Sequence, residues 1–194
     1  MGKGRLEAFS DGVFAIIITI MVLELRVPHG TTLGALAPLV PVFLSYVLSY
    51  VYLGIYWNNH HHLLHTVKKV TGPILWANLY LLFWLSLIPF VTGWMGENHF
   101  APMTTALYAV VLLMCGMAYR VLQSCIIKSQ GPDSLLKRAI GTRWKEIVSP
   151  LAYLAAIPMA FWSSSVSQAI IVAVALIWLV PDRRIEKALA STET

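Results

Sequence analysis

The chain has 194 residues, of which 58% are hydrophobic and only 12% are charged. Soluble domains carry about 25% charged residues, so this composition excludes the ordinary soluble class. The net charge of +5 does not indicate a nucleic-acid partner, because the basic residues are spread over short segments between apolar runs and form no single patch. The composition therefore predicts a polytopic membrane protein.

Six apolar runs are long enough to cross a hydrocarbon core of about 30 Å. They span residues 8–27, 36–58, 73–95, 102–127, 146–162 and 165–181. The last two are predicted to form a helical hairpin with a polar hinge at Ser163 to Ser165. Pro89 and Pro158 lie inside runs and are expected to kink them. The predicted fold class is all-α, with residues 1–194 forming one six-helix transmembrane domain.

Lysine and arginine residues are distributed unequally between the two sides that this topology defines. Only Arg26 falls on one side. Because positive residues accumulate on the cytoplasmic side of a membrane, both termini are predicted to be cytoplasmic. The basic residues on that side are Lys3, Arg5, Lys68, Lys69, Lys128, Lys137, Arg138, Arg143, Lys145, Arg183, Arg184 and Lys187, with Arg120 nearest to it.

One face of the first helix carries Ile16, Thr19, Ile20 and Leu23, spaced i, i+3, i+4 and i+7. If several copies of this helix surround an axis, the face presents rings of apolar side chains with a ring of hydroxyls between them. Such rings can hold back water and admit an ion only after partial dehydration, with Thr19 supplying a replacement oxygen. The alternative is that the face contacts lipid.

Two carboxylates flank this apolar stretch. Asp11 lies about 140° around the helix from Ile16, so it is expected to point into the subunit and to bind Arg5, Ser10 or the polar end of the second helix, residues 57–62. The alternative is an interfacial carboxylate that contacts water. Glu24, near the outer mouth, is expected either to raise the local cation concentration or to be merely interfacial.

The histidines leave a metal site open, because His61 and His65 are spaced i, i+4 and could share a zinc ion. No further ligand is identified, so the sequence favours a hydrogen-bonding or solvent-facing role and predicts no metal and no cofactor. Cys115 and Cys125 lie ten residues apart in one run, where a disulfide cannot form. No catalytic motif occurs, and Asp11 and Glu24 are too far apart to act as a pair, so no enzyme is predicted.

The stretch RLEAFSDGVFAI resembles the transmembrane protein 175 family, whose hallmark RxxxFSD is matched by Arg5, Phe9, Ser10 and Asp11. The resemblance continues through DGVFAIxxTxxVLEL to Leu25. It also covers the end of the second helix, and NLYLLFWLSLIPF in the third. The residues that carry it there are Trp57, His60, His61, Asn78, Ser86, Pro89 and Phe90.

The resemblance implies a potassium-permeable cation channel of a prokaryotic inner membrane, assembled as a homotetramer around four copies of the first helix. It implies a constriction at Ile16, Thr19 and Leu23 and potassium as the permeant ion. It also implies a network that holds the first helix in place, formed by the FSD residues, Arg5, Trp57, Asn78 and a histidine. Three consecutive histidines leave open which of His60, His61 and His62 belongs to that network.

Two other functions stay open from the sequence. A proton-coupled or cation transporter would use Asp11 and a histidine of the second helix as a relay. A non-transporting membrane scaffold would keep the FSD residues for packing alone.

Overall fold

The computed structural model of the chain describes residues 2–131, 134 and 144–179, and its regular structure there is helical. A 3₁₀ segment, Leu33–Leu39, leads into the second helix. The all-α fold is confirmed. The helices are α1 Lys3–Leu23, α2 Val40–His65, α3 Gly72–Ser86, α4 Ile88–Glu97, α5 Pro102–Gln130, α6 Trp144–Trp162 and α7 Ser164–Leu179.

Four helical stretches in the described part are long and apolar enough to cross a membrane: Lys3–Leu23, Leu33–His65, Gly72–Glu97 and Pro102–Gln130. Ser164–Leu179 is apolar but shorter. With α6 it forms the predicted hairpin, whose hinge is reduced to Ser163. Each predicted run thus has a helical counterpart, and the chain is a multi-pass membrane protein. In the loop after the fourth run, the sequence also predicts a short surface helix over residues 134–139, which lie outside the described residues apart from Ser134.

The first helix begins at Lys3, five residues before the apolar run that predicts it. The third run is two helices, because α3 ends at Ser86 and α4 begins at Ile88. Pro89 has no amide hydrogen and its ring crowds the carbonyl four residues earlier, which breaks a helix. The expected kink is therefore a break at Leu87. Pro158 has a milder effect, since α6 continues through it.

Successive spans run in opposite directions, as contacts at their ends show. Lys3 Nζ on α1 donates to the backbone oxygen of His65 at the end of α2, 2.8 Å away. Gln123 of α5 donates to Glu146 of α6 (3.1 Å). We call the end of the molecule at which these two contacts lie the basic end. At the opposite end, Arg26 pairs with Glu97 (3.0 Å). The basic residues at 137, 138, 143, 183, 184 and 187 lie outside the described residues.

The short helix α4 is held against α2 and α5 by buried hydroxyls. Ser49 on α2 lies 2.6 Å from Thr92 Oγ1 on α4 and 2.8 Å from Tyr108 Oη on α5. Thr92 also donates to the backbone oxygen of Ile88 (2.6 Å). These bonds satisfy hydroxyls that would otherwise be costly in an apolar interior. They attach the broken third span to its neighbours.

Candidate functional site

The first helix has one buried and one exposed face. The buried face is formed by Leu6, Ser10, Phe14, Ile17 and Met21. On the other side, Ile16 is 58% exposed, Ile20 is 42% exposed and Leu23 is 79% exposed. Thr19 is exposed on that same side. A row of large apolar side chains that no part of its own subunit covers needs either lipid or another protein surface against it.

The Thr19 hydroxyl is oriented by its own helix. Its Oγ1 donates to the backbone oxygen of Ile16, 2.9 Å away. Because the hydroxyl hydrogen is engaged by the backbone, the lone pairs of Oγ1 are left for another group. The side chain can therefore present an acceptor oxygen from the exposed face.

A groove of about 530 Å³ runs between α1 and α4 beside this face. Ile16 and Ile20 form one wall, and Phe90 and Trp94 of α4 line the other. The groove ends at Glu24, which is exposed and whose carboxylate lies across Gly93. A Cβ at Gly93 would lie 3.7 Å from Glu24 Oε2, which is an ordinary van der Waals distance, so the carboxylate lies close to the backbone of α4.

Three buried polar side chains connect α1, α2 and α3 near the basic end. His60 Nε2 lies 2.7 Å from Asn78 Oδ1, and Asn78 Nδ2 donates to Ser10 Oγ at 3.0 Å. Ser10 in turn donates to the backbone oxygen of Leu6 (2.9 Å). Since Asn78 Oδ1 can only accept, His60 must carry its proton on Nε2. We call Ser10, Asn78 and His60 the buried chain; all are at most 1% exposed.

Asp11 joins α1 to α2 separately from the buried chain. Trp57 Nε1 donates to Asp11 Oδ1 at 2.9 Å. The expectation that Asp11 is buried is wrong for the single subunit, because the residue is exposed. Of its expected partners, the end of α2 supplies Trp57, whereas Arg5, also exposed, is not among its partners in the described structure. One residue further along a helix is a rotation of about 100°, so Asp11 faces away from Ser10. Phe9 is also exposed, at 50%.

The other histidines of α2 lie outside the buried chain. His61 stacks on Trp57 (ring centroids 6.0 Å apart), and its ring is 4.6 Å from that of His65. His62 lies 5.8 Å from His61. The described residues contain no group of three or more histidine, cysteine, aspartate or glutamate residues that could hold a metal ion. The histidine left open by the sequence is thus His60 in the buried chain.

Sequence reasoning missed the hydroxyl cluster of Ser49, Thr92 and Tyr108, as well as the packing of Phe14 against the His60 ring (5.6 Å between centroids). A signal for the cluster was present, because Ser49 and Thr92 are hydroxyl residues inside apolar runs and such residues usually face protein. Nothing in the sequence indicates which runs they join.

Comparison with known proteins places this geometry among ion channels. Residues 5–89 match the profile of a family described as "Endosomal/lysosomal potassium channel TMEM175". A protein of Chryseobacterium sp. named a potassium channel is 55% identical over 97% of this chain and 98% of its own length. Another from Streptomyces collinus, also named a potassium channel, is 30% identical over 86% of each chain.

A solved structure is also similar. It is described as the crystal structure of a lysosomal potassium-selective channel TMEM175 homolog from Chamaesiphon minutus. The TM-score is 0.77 and the identity 27%, with 93% of this chain and 97% of the other covered. The helical arrangement is therefore shared along nearly the whole chain.

Proposed function

Because this chain belongs to the TMEM175 family of ion channels and is not an enzyme, we propose that it is a potassium channel whose pore is lined by α1 of four copies. The observation that carries the proposal is the bare outer face of α1. Ile16, Thr19, Ile20 and Leu23 are exposed in the single subunit, although the opposite face packs tightly. If four copies turn this face towards a common axis, its side chains no longer contact lipid, and equivalent side chains of the four copies form rings around the axis.

The rings divide the work of conduction. Ile16 forms the narrowest apolar gap, with Ile20 beside it, and Leu23 forms a second apolar ring towards the outside. Apolar constrictions close by dewetting. Between them, Thr19 turns its oxygen lone pairs to the axis, since its hydrogen is donated to the Ile16 backbone. Those oxygens replace part of the hydration shell of potassium.

The buried chain and the Trp57 to Asp11 hydrogen bond support the proposal as the anchor of α1. Rings of side chains can select an ion only if four helices keep one rotation and one depth. Hydrogen bonds that join α1 to α2 and α3 near the basic end fix the rotation and the depth of α1. Arg5 and Phe9, which are exposed beside the anchor, are available to contact a neighbouring copy.

The remaining assignments concern the surroundings of the pore. Glu24 lies at the end opposite the basic end, where its carboxylate attracts cations to the outer mouth. The excess of lysine and arginine at the basic end supports a cytoplasmic position for both termini in a prokaryotic inner membrane. No resident cofactor is needed, because potassium is the permeant species.

The test is potassium flux through the purified chain in liposomes, with Ile16→Asn as the main variant. A polar side chain at the narrowest ring wets it, so we expect a higher flux and a lower preference for potassium over sodium. Flux is measured with a potassium gradient and a fluorescent reporter, and the preference is measured from reversal potentials in a bilayer.

The matched control is Val22→Asn, which adds the same group to α1 at a position that is 45% exposed and about 120° from Ile16 around the helix. Ile17 is unsuitable, because it is 3% exposed and an amide there would disrupt packing. Wild-type protein that passes no potassium overturns the proposal, and saturable flux coupled to pH favours a carrier. Equal effects of the two variants exclude the assigned face.

A further inference from the structure

The histidine-rich end of α2 has a second use beyond the anchor. The His60 ring is hydrogen-bonded to Asn78 in the buried chain, whereas the described structure contains no hydrogen bond to the ring nitrogens of His61 or His65. We propose that His61 and His65 form a binding site for a divalent transition-metal ion such as zinc. The structure thus divides neighbouring histidines between a structural role and a ligand role.

The geometry suits two imidazoles on one ion. The side chains are one helical turn apart on the same face of α2, and their ring centroids are 4.6 Å apart. Zinc-to-nitrogen bonds of about 2.0–2.1 Å at a tetrahedral angle place two ligating nitrogens about 3.4 Å apart. Histidines at i and i+4 on one face of a helix share a zinc ion in known sites, so the spacing of this pair is compatible with joint coordination.

The chemistry of the donors selects the class of ion. Neutral imidazole is a good ligand for zinc, nickel and copper, whereas magnesium and calcium prefer oxygen donors. With two protein ligands, water completes the coordination. Two charged side chains lie near the pair. The positive charge of Lys3 opposes a bound cation, because its Nζ donates to the backbone oxygen of His65 and so lies close to the site. The negative charge of Glu7 partly cancels that of Lys3, since Glu7 Oε1 is 3.8 Å from the same Nζ.

The site is accessible from water. Helix α2 has 26 residues, which gives a length of about 39 Å and exceeds a hydrocarbon core of about 30 Å. His65 is the last residue of the helix and is exposed, and Lys68 and Lys69 follow it. Trp57, a residue type typical of the membrane interface, lies one turn before His61. The pair therefore extends beyond the apolar layer.

An ion at this site affects the anchor of α1. His61 stacks on Trp57, and Trp57 donates to Asp11 on α1. Coordination holds the His61 ring in one orientation and so stiffens the contact between α1 and α2. Resting on the proposed channel function, this predicts that zinc applied at the basic end lowers potassium flux.

The experiment is a calorimetric titration of the full chain with zinc, using protein without a polyhistidine tag. We expect saturable binding of one ion per subunit. His65→Ala and His61→Ala should each weaken it by at least about tenfold, as loss of a ligand requires. Copper(II) in place of zinc should show two coordinated imidazole nitrogens in its electron paramagnetic resonance spectrum, and one in either variant.

The controls separate ligation from folding. His29→Ala removes an exposed histidine in the connection between α1 and α2 and should bind zinc as the wild type does. His65→Gln keeps a polar side chain and should lose binding, and melting in metal-free buffer checks that each variant is folded. Absence of binding to the wild type, or undiminished binding after both substitutions, overturns the site.

Flux in liposomes distinguishes a failure of the site from a failure of the channel. Zinc should reduce wild-type flux and leave that of His65→Ala unchanged. Binding without any potassium flux contradicts the proposed function and leaves the site intact. Flux without binding contradicts the site alone, and binding that leaves flux unaltered contradicts its link to the anchor.

Discussion

At the scale of the residue, a single step along α1 separates two roles. Ser10 is buried and accepts a hydrogen bond from Asn78, whereas Asp11 is exposed and accepts one from Trp57. A motif that looks like one unit in the sequence therefore contacts two different helices. The helical rotation of about 100° per residue is the cause. Ser10 anchors α1 from within, and Asp11 does so from the edge.

Asn78 is the residue on which the buried chain depends, because it bonds to both other members. In Asn78→Leu, the His60 N–H loses its acceptor and Ser10 Oγ loses its donor. Each unpaired buried group costs about 1–3 kcal/mol. We expect a clear fall in the melting temperature in detergent and a loss of potassium selectivity.

Asn98→Leu is the control for this prediction, since the amide of Asn98 is exposed and bonds only to the backbone of its own helix at Trp94. Its melting temperature should stay close to that of the wild type. If the two variants have the same melting temperature, the buried chain contributes nothing to stability and α1 is held by packing alone.

At the scale of the element, the third span shows why run length is a poor guide to helix continuity. Hydropathy is unbroken from α3 into α4, yet Pro89 divides them. The second part then packs closely on α2 at Gly96, where a Cβ would lie 2.5 Å from Ser45 Oγ and 2.7 Å from Val42 Cα. Only glycine permits this approach. The proline is visible in the sequence, but the close contact is not.

Substitution at Gly96 tests this contact. Gly96→Ala places a methyl group against the backbone of Val42, which cannot move without displacing α2, so we expect a loss of about 1–3 kcal/mol of stability. Gly54→Ala is the matched control, because nothing lies within 4 Å of its Cβ position. Removing a helical glycine there should raise stability by about 0.5–1 kcal/mol. Chemical denaturation measures both, and a stable Gly96→Ala contradicts the close packing.

At the scale of the whole molecule, hydropathy and charge predict much of the fold and little of the site. Six runs and the single Arg26 on one side suffice to predict six helical stretches that alternate in direction, although the third of them is divided into two helices. The partners of Ser10 and Asp11 depend on how α2 and α3 rotate about their axes. A uniformly apolar helix leaves that rotation unspecified, because lipid and core are equally apolar. The assembly is harder still to predict from the sequence, because it depends on the surfaces that meet between copies.

The last prediction concerns that assembly. In a chain with Cys115→Ala and Cys125→Ala, Leu23→Cys places one thiol per subunit on the exposed face of α1. If four copies surround an axis, those thiols are neighbours, and a short bifunctional thiol reagent should join subunits in pairs. Native mass spectrometry of the same sample should give four times 21.6 kDa, or about 86 kDa.

The control is Phe161→Cys, which is 57% exposed on α6, at the same end of the molecule. Because α6 packs mainly on α5 and α7 and not on α1, this thiol should stay unpaired. A mass of one or two subunits, or pairing at 161 with none at 23, excludes a pore lined by α1.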